Sequence, residues 1–285
     1  MPEGPEVKTV TVHLNEKLSS QTLVGVTCLR SDKYFSINGK TENRFSLLRS
    51  ILPATVETVF CKGKCIFFKL YSIDTHEVYY LYCHLIMTGR WTEKSTNSQL
   101  TLKFGRRIYR NEQPIRLVWY LLYYNDGRRL GHFNLLTTNQ LETKLNSLGP
   151  DILSESVNWQ QWLAIIRRYP KRQLVSFLMD QSCICGIGNY LKCEILYRSR
   201  LAPSRKVGTL TKEENKILYE EAIKTITESY SYGGLTIRDF WHPDGKRGTF
   251  PVQVYNRKTD PHGNMIKRGK FSDGRTTCWV PSLQF

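Results

Sequence analysis

The sequence predicts an α+β protein whose first half is strand-rich, whose second half is helical and whose tail is hairpin-like. Three observations predict it. Runs of β-branched and aromatic residues precede Asn125, apolar residues recur at helical spacing from Trp159 onward, and a basic tail from Gly245 to Arg275 is punctuated by glycines and turn residues.

Taken in order, Val7, Val10, Leu14 and Leu18 lie at helical spacing and predict a helix near the start. Residues 65–71 (CIFFKLY) and 78–85 (VYYLYCHL) suit a pleated surface and predict two strands. Residues 118–124 (VWYLLYY) predict a third, ended by the turn signal Asn125-Asp126-Gly127. The character changes around Leu148-Gly149-Pro150-Asp151. Trp159, Trp162, Leu163 and Ile166 then read as one helix and Leu174, Phe177 and Leu178 as the next. A long helix from Thr211 to Ser229 opens with Thr211-x-x-Glu214, a capping box in which each side chain satisfies an otherwise free N–H. Between them, the break at Cys185-Gly186-Ile187-Gly188-Asn189-Tyr190 leads into Leu191, Ile195 and Leu196, a helix, turn and helix arrangement. The expected division is a strand-rich domain over 1–139, a linker over 140–152, a helical domain over 153–245 and a hairpin over 246–285.

The 285 residues fit about two domains. Forty-one Lys+Arg against 25 Asp+Glu leave a formal net charge of +16, which disfavours a basic substrate and favours a polyanion, nucleic acid before an anionic membrane. No apolar run reaches the ~18–20 residues of a membrane span, and the acidic start lacks the apolar stretch of a signal peptide. Without such a signal, the eight cysteines read as reduced thiols, mostly small buried apolar residues. Cys61-x3-Cys65 and Cys183-x-Cys185 lack a second pair at zinc spacing.

Several residues suit chemistry, each with a plainer alternative. Loss of Met1 leaves Pro2 as a secondary amine, able to attack a masked aldehyde carbon and hold it as a Schiff base. Glu3 beside it is placed to relay a proton; an acidic first turn that complements a helix dipole is the alternative. Gly186 to Asn189 suit a phosphate held by backbone N–H groups, or simply a tight helix–helix turn. Lys62, Lys64, Arg128 and Arg129 sit beside apolar strands, where solvated charge is the ordinary reading, and Met87 after His84 fits a core corner. The tail carries Lys246, Arg247, Arg257, Lys258, Lys267, Arg268, Lys270 and Arg275 against only Asp260 and Asp273, a sustained excess suited to displacing counterions from phosphates.

Together these pieces resemble the formamidopyrimidine-DNA glycosylase / endonuclease VIII family, over essentially the whole chain and in the family's order. Met1 to Val7 resembles the endonuclease VIII form of the start, with Gly4 where the formamidopyrimidine branch usually has Leu. Lys62-Gly63-Lys64 resembles the segment with the family's β-lobe lysine. Met179-Asp180-Gln181, Gly186 to Leu191 and Glu194-Ile195-Leu196 resemble its helix-two-turns-helix signature. Gly233 to Phe240 and Gln253 to Lys258 resemble the approach to its terminal finger. The finger departs from the common pattern: only His262 and Cys278 stand in a region where zinc needs four ligands. Arg275 to Trp279 still resembles the finger's second strand, so the chain resembles the zincless-finger subgroup.

The resemblance implies an N-terminal β-sandwich with a leading helix, a helix-two-turns-helix domain and a zincless β-hairpin finger. It implies a bifunctional glycosylase and AP lyase of base-excision repair that removes oxidised pyrimidines and ring-opened purines, through a Schiff base at Pro2 and β,δ-elimination. Glu3 and Lys64 complete the implied catalytic set. Lys64, His84, Asn189 and Arg275 are the implied phosphate ligands, and Met87, Arg128 and Leu130 fill the space of the extruded nucleotide. Leu130 stands where the family usually has Phe, an apolar wedge that cannot stack as a ring does. Glu6 matches a family acid near the lesion pocket. No cofactor or metal is implied. The expected partner is damaged DNA, single- or double-stranded, met by a monomer without a membrane, inside the cell in the nucleus or wherever the genome is replicated. The alternative function is a non-catalytic DNA- or RNA-binding protein using the same helical platform, which leaves Pro2-Glu3 unexplained. A membrane-binding reading lacks a basic amphipathic helix.

Overall fold

The computed structural model describes residues 1–35, 44–110, 113–235, 245 and 247–285. The chain divides into two compact units: residues 1–2 and 7–146 in the first, residues 3–6, 147–235 and 248–285 in the second.

In the first unit α1 (Gly4–Leu18) buries Val7, Val10, Leu14 and Leu18, the stripe read from the sequence. The strands are β1 (Thr22–Cys28), β2 (Ala54–Lys62), β3 (Cys65–Ser72), β4 (Val78–His84), β5 (Arg90–Thr92), β6 (Ser98–Arg110), β7 (Gln113–Asn125) and β8 (His132–Leu136). Short helices α2 (Ser31–Tyr34) and α3 (Arg44–Ser50) lie between β1 and β2, and α4 (Thr138–Asn146) follows β8. All three predicted strands are present, as β3, β4 and the second half of β7.

The strands form one antiparallel sheet in the order β5-β7-β6-β1-β2-β3-β4-β8. Its two ends meet. Phe133 on β8 packs edge-on against Tyr124 of β7 at 4.8 Å and against Trp91 of β5 at 5.8 Å. The sheet therefore folds over on itself as a sandwich, with these rings and Tyr34 of α2 in the shared core. Such closure explains why β3 is buried along most of its length rather than alternating.

The second unit is helical: α5 (Trp159–Arg167), α6 (Leu174–Met179), α7 (Asn189–Arg198) and α8 (Lys212–Ser231). Trp162 is fully buried between Phe177 of α6 and Tyr219 of α8, at 6.2 and 5.5 Å between ring centres. The capping box predicted at Thr211 and Glu214 is formed, and Asn158 with Gln161 builds another at the start of α5. A two-stranded hairpin follows, β9 (Lys267–Lys270) paired with β10 (Thr276–Trp279). It is shorter than the glycine-punctuated tail suggests. Residues 250–266 run irregularly, and Val254 and Ile266 pack with Cys193 and Tyr197 of α7. All eight cysteines are free thiols and six are buried, in keeping with their reading as small core residues.

Candidate active site

Pro2 and Glu3 are both buried immediately ahead of α1. The Glu3 carboxylate accepts the backbone N–H groups of Gly188 at 2.7 Å and Leu191 at 3.3 Å on Oε2, and that of Tyr190 at 2.9 Å on Oε1. An α-helix begins with N–H groups that have no partner within it, and the N-terminal end of its dipole attracts negative charge. Glu3 answers both needs of α7. Of the glycine-rich turn expected to suit a phosphate, the Gly188 N–H is thus given to Glu3 and the Gly186 N–H to Gln181 Oε1 at 3.0 Å, so neither is presented to a phosphate. The placement of Glu3 also explains Gly188, because a Cβ there would lie 2.2 Å from the Glu3 carboxyl carbon.

Glu6 is fully buried and accepts three hydrogen bonds, from the Glu3 N–H at 2.7 Å, the Leu235 N–H at 2.6 Å and the Tyr190 hydroxyl at 2.8 Å. Burial raises its pKa, opposed by those same donors. Gly234, at φ +81°, brings its backbone so close that a Cβ would sit 2.2 Å from Glu6 Oε1. Residues 3, 190 and 235 are thus joined through one carboxyl group. Glu194 on α7 does the same for the chain approaching the hairpin, accepting the N–H groups of Gln253, Val254 and Tyr255 at 2.8–3.0 Å. The sequence reading passed over Glu194 as a site residue. Its one signal is that it is the only acid in α7.

A second group lies in the first unit. Lys62 pairs with Cys65 across a two-residue turn in which Gly63 takes φ 56°, so the buried Lys64 stands at the tip of the β2–β3 hairpin. Cross-strand register then aligns Cys65 with His84 and His84 with His132. Burial, then the charges of Lys64, Lys144 and His132, lower the His84 pKa to about 4, so its imidazole is neutral at pH 7. Lys144 of α4 sits 5.4 Å over the Tyr82 ring, whose hydroxyl accepts the Cys65 thiol at 3.6 Å. Lys144 and His132 were not anticipated, because only strand register and α4 bring them beside His84.

A third group surrounds the turn after β7. The Arg128 guanidinium lies 3.8 Å from the Met87 sulfur, and Leu130 follows, 46% exposed. Of the expected Met87, Arg128 and Leu130, the first two are thus in contact. Asp126, read only as a turn residue, is buried and holds this turn in place: it accepts the Gly131 N–H at 2.7 Å, the Tyr34 hydroxyl at 3.4 Å and the Thr88 hydroxyl.

Asn189, at the start of α7, donates its side-chain amide to the Thr276 carbonyl at 3.0 Å, next to the exposed Arg275. The two expected phosphate ligands of the second unit are thereby neighbours. Thr236 to Phe240 of the Gly233 motif, and Lys246 of the basic tail, lie outside the described residues. Among the described residues no group of three or more His, Cys, Asp or Glu is arranged to hold a metal ion. Cys278 instead donates its backbone N–H to the Cys193 sulfur at 3.3 Å, and the His262 N–H goes to Asp260.

Two sequence-family models match the chain. The formamidopyrimidine-DNA glycosylase N-terminal domain matches residues 1–133, and the formamidopyrimidine-DNA glycosylase H2TH domain matches residues 148–240. The formamidopyrimidine-DNA glycosylase of an Exiguobacterium strain is 30% identical over 291 residues, covering 100% of this chain and 99% of the relative. That of Prochlorococcus marinus subsp. pastoris is 30% identical over 304 residues, covering 100% of both. Among solved structures, the MutM (Fpg) protein of Thermus thermophilus superposes with a TM-score of 0.80 at 27% identity, over 99% of this chain and 98% of that one. The Lactococcus lactis Fpg, in a complex with DNA containing an abasic site, shares the fold with a TM-score of 0.80 at 22% identity, over 99% of each chain.

Proposed function

The chain belongs to the formamidopyrimidine-DNA glycosylase family and is a DNA glycosylase of base-excision repair, and on that premise we propose that it is bifunctional, cleaving the strand as an AP lyase through its N-terminal proline. The observation that carries this reading is the clamp on Glu3: the N–H groups of Gly188, Tyr190 and Leu191 at the start of α7 hold its carboxylate, so the adjoining Pro2 is held with it. Orientation of a nucleophile can supply much of a barrier reduction.

With Met1 removed, the Pro2 nitrogen attacks C1′ of the damaged nucleoside. The glycosidic C1′–N bond breaks, and its electron pair leaves with the base, which takes up a proton. The Pro2 N–H proton then passes to Glu3, the nitrogen lone pair so freed forms the C=N bond as C1′–O4′ opens, Glu3 delivers the proton to O4′, and Pro2 and C1′ are left joined as an iminium. Loss of a C2′ proton expels the 3′ phosphate, a second elimination expels the 5′ phosphate, and water releases the enzyme. Lys64, His84, Asn189 and Arg275 hold phosphates around the extruded nucleotide. At neutral pH His84 does so as a neutral hydrogen-bonding group. Met87, Arg128 and Leu130 fill the vacated stack, whose opening costs a few kcal/mol. Glu6 braces the wall of the lesion pocket. The endonuclease VIII-like start favours oxidised pyrimidines and ring-opened purines as substrates, while the relatives carry the formamidopyrimidine name. The protein acts as a monomer on damaged single- or double-stranded DNA, in the compartment where the genome is replicated.

Borohydride reduction in the presence of DNA carrying an abasic site or an oxidised pyrimidine tests the proposal. A covalent adduct is expected, and an N-terminal extension that acylates the Pro2 nitrogen should abolish it while leaving the protein folded. Binding without a trapped adduct overturns the enzymatic reading in favour of a DNA-binding platform.

A further inference from the structure

One side of α7 faces the hairpin. Asn189, Lys192 and Cys193 stand at i, i+3 and i+4 and so share that side of the helix. Asn189 reaches the Thr276 carbonyl at 3.0 Å, and the Cys193 sulfur receives the Cys278 N–H at 3.3 Å. Lys192 between them pairs its ammonium with Asp273 Oδ2. The Lys192 side chain is 0% exposed and that of Asp273 3%. Lysine is almost never fully buried unless paired, and a buried ion pair adds little stability over apolar residues of the same size. What it does supply is direction, because only one arrangement satisfies both charges.

The direction matters because of what the other carboxylate oxygen does. Asp273 Oδ1 accepts the backbone N–H of Arg275 at 3.2 Å, across Gly274 at φ 68°. One carboxylate is thus gripped from the helix on one oxygen and holds the Arg275 backbone with the other. The flanks are fixed separately, by the Phe271 and Trp279 rings at 5.1 Å and by the Ser176 and Ser272 hydroxyls at 2.6 Å. We propose that Lys192 is a positioning residue that acts through Asp273: the buried pair sets how Arg275 leaves the finger turn and so presents its guanidinium to a DNA phosphate. This rests on the reading of Arg275 as a phosphate ligand. Within the fold, the pair links the hairpin turn to α7.

The test uses the full chain. Lys192→Met alone strands a buried carboxylate and threatens folding. Lys192→Met with Asp273→Asn removes both charges while keeping an acceptor for the Arg275 N–H. Amide exchange in the free protein should then quicken at Arg275 on the order of tenfold, and the β9–β10 ladder should keep its protection. The slope of log K against log salt for an abasic-site duplex should fall by about 0.9, one phosphate's worth. Arg275→Ala in the parent should lower the slope equally, and added to the double variant should lower it no further. Lys192→Arg alone, with Asp273 intact, should keep both readouts at their parental values. Unchanged exchange at Arg275 overturns the proposal, as does a double variant that fails to fold, since the pair is then a stability element. A full slope in the double variant that Arg275→Ala still removes also overturns it. Quickened exchange in a protein whose slope ignores Arg275→Ala supports the positioning and overturns the phosphate role instead.

Discussion

At the start of α7, the carboxyl groups of Glu3 and Glu6 both end on backbone N–H donors; at the edge built by β3, β4 and β8, the charges of Lys64 and Lys144 press on the imidazole of His84. Both regions withdraw ionisable groups from water. In the first, fixed dipoles complement each acid, so the groups lock backbone to backbone and define a position. In the second, like charges converge and the imidazole responds by staying neutral. An anion entering that edge would relieve the repulsion, whereas one entering the α7 start would compete with Glu3. The first region thus fixes backbone position, and the second gathers positive charge around a neutral imidazole.

The contrast breaks most sharply at Gly188. Alanine there would drive its Cβ into the Glu3 carboxyl group, and overpacking of this kind costs about 3 kcal/mol. Gly188→Ala should lower the denaturation midpoint and abolish the borohydride-trapped adduct together; a parental midpoint would mean that Glu3 is not clamped. Glu6→Gln is expected to be milder, at about 1–3 kcal/mol, since one amide N–H would face a donor where a carboxylate oxygen accepts one. The pH dependence has a definite sign. Burial raises the Glu6 pKa, so its contribution is fully present below the ordinary value of 4.5 and is lost as pH rises through the raised one. The stability gap between parent and variant should therefore narrow with rising pH; a gap that widens would reverse the assignment.

The smallest effect belongs to the basic edge. In the free protein the His84 ring resonances should titrate with a midpoint of about 4. Its pKa is depressed, so the stability it contributes is present above the ordinary 6.5 and is lost as pH falls toward 4. Lys64→Met should raise the midpoint, because a like charge beside the imidazole is removed. It should remain below 6.5, because burial is the larger cause. Abasic-site DNA added to the parent should raise it as well. A midpoint that moves with neither change would deny that Lys64 and His84 share a phosphate.

Local pattern made much of the fold legible. The α1 stripe, β3, β4, the turn after β7 and the capping box of α8 all follow from spacing and turn chemistry, because each is settled by residues a few positions apart. β1, β2 and β6 were not singled out; their pairing partners are distant in sequence, and neither Gly25 in β1 nor Arg106 and Arg107 in β6 suits a plain strand pattern. In the site, Pro2, Glu3, Lys64 and Arg275 were recognisable from motif order. Glu194, Asp126 and Asp273 were not. As letters they are an acid in a helix, a turn residue and a counter-charge in a basic tail, and only their burial makes them anchors.

The sequence by itself determined the fold class, the leading helix, the longest helix and its cap, the family and the residues that carry the proposed chemistry, because periodicity, capping and ordered motifs are local properties. The tertiary structure alone decided what those residues are held by. The Gly188 and Tyr190 N–H groups go to Glu3 and that of Gly186 to Gln181, His84 loses its charge to burial and to lysines from two other elements, and a buried lysine of α7 grips the finger turn. Hydrogen-bond partnership and desolvation depend on what lies within a few ångströms in space, and chain order does not encode that directly.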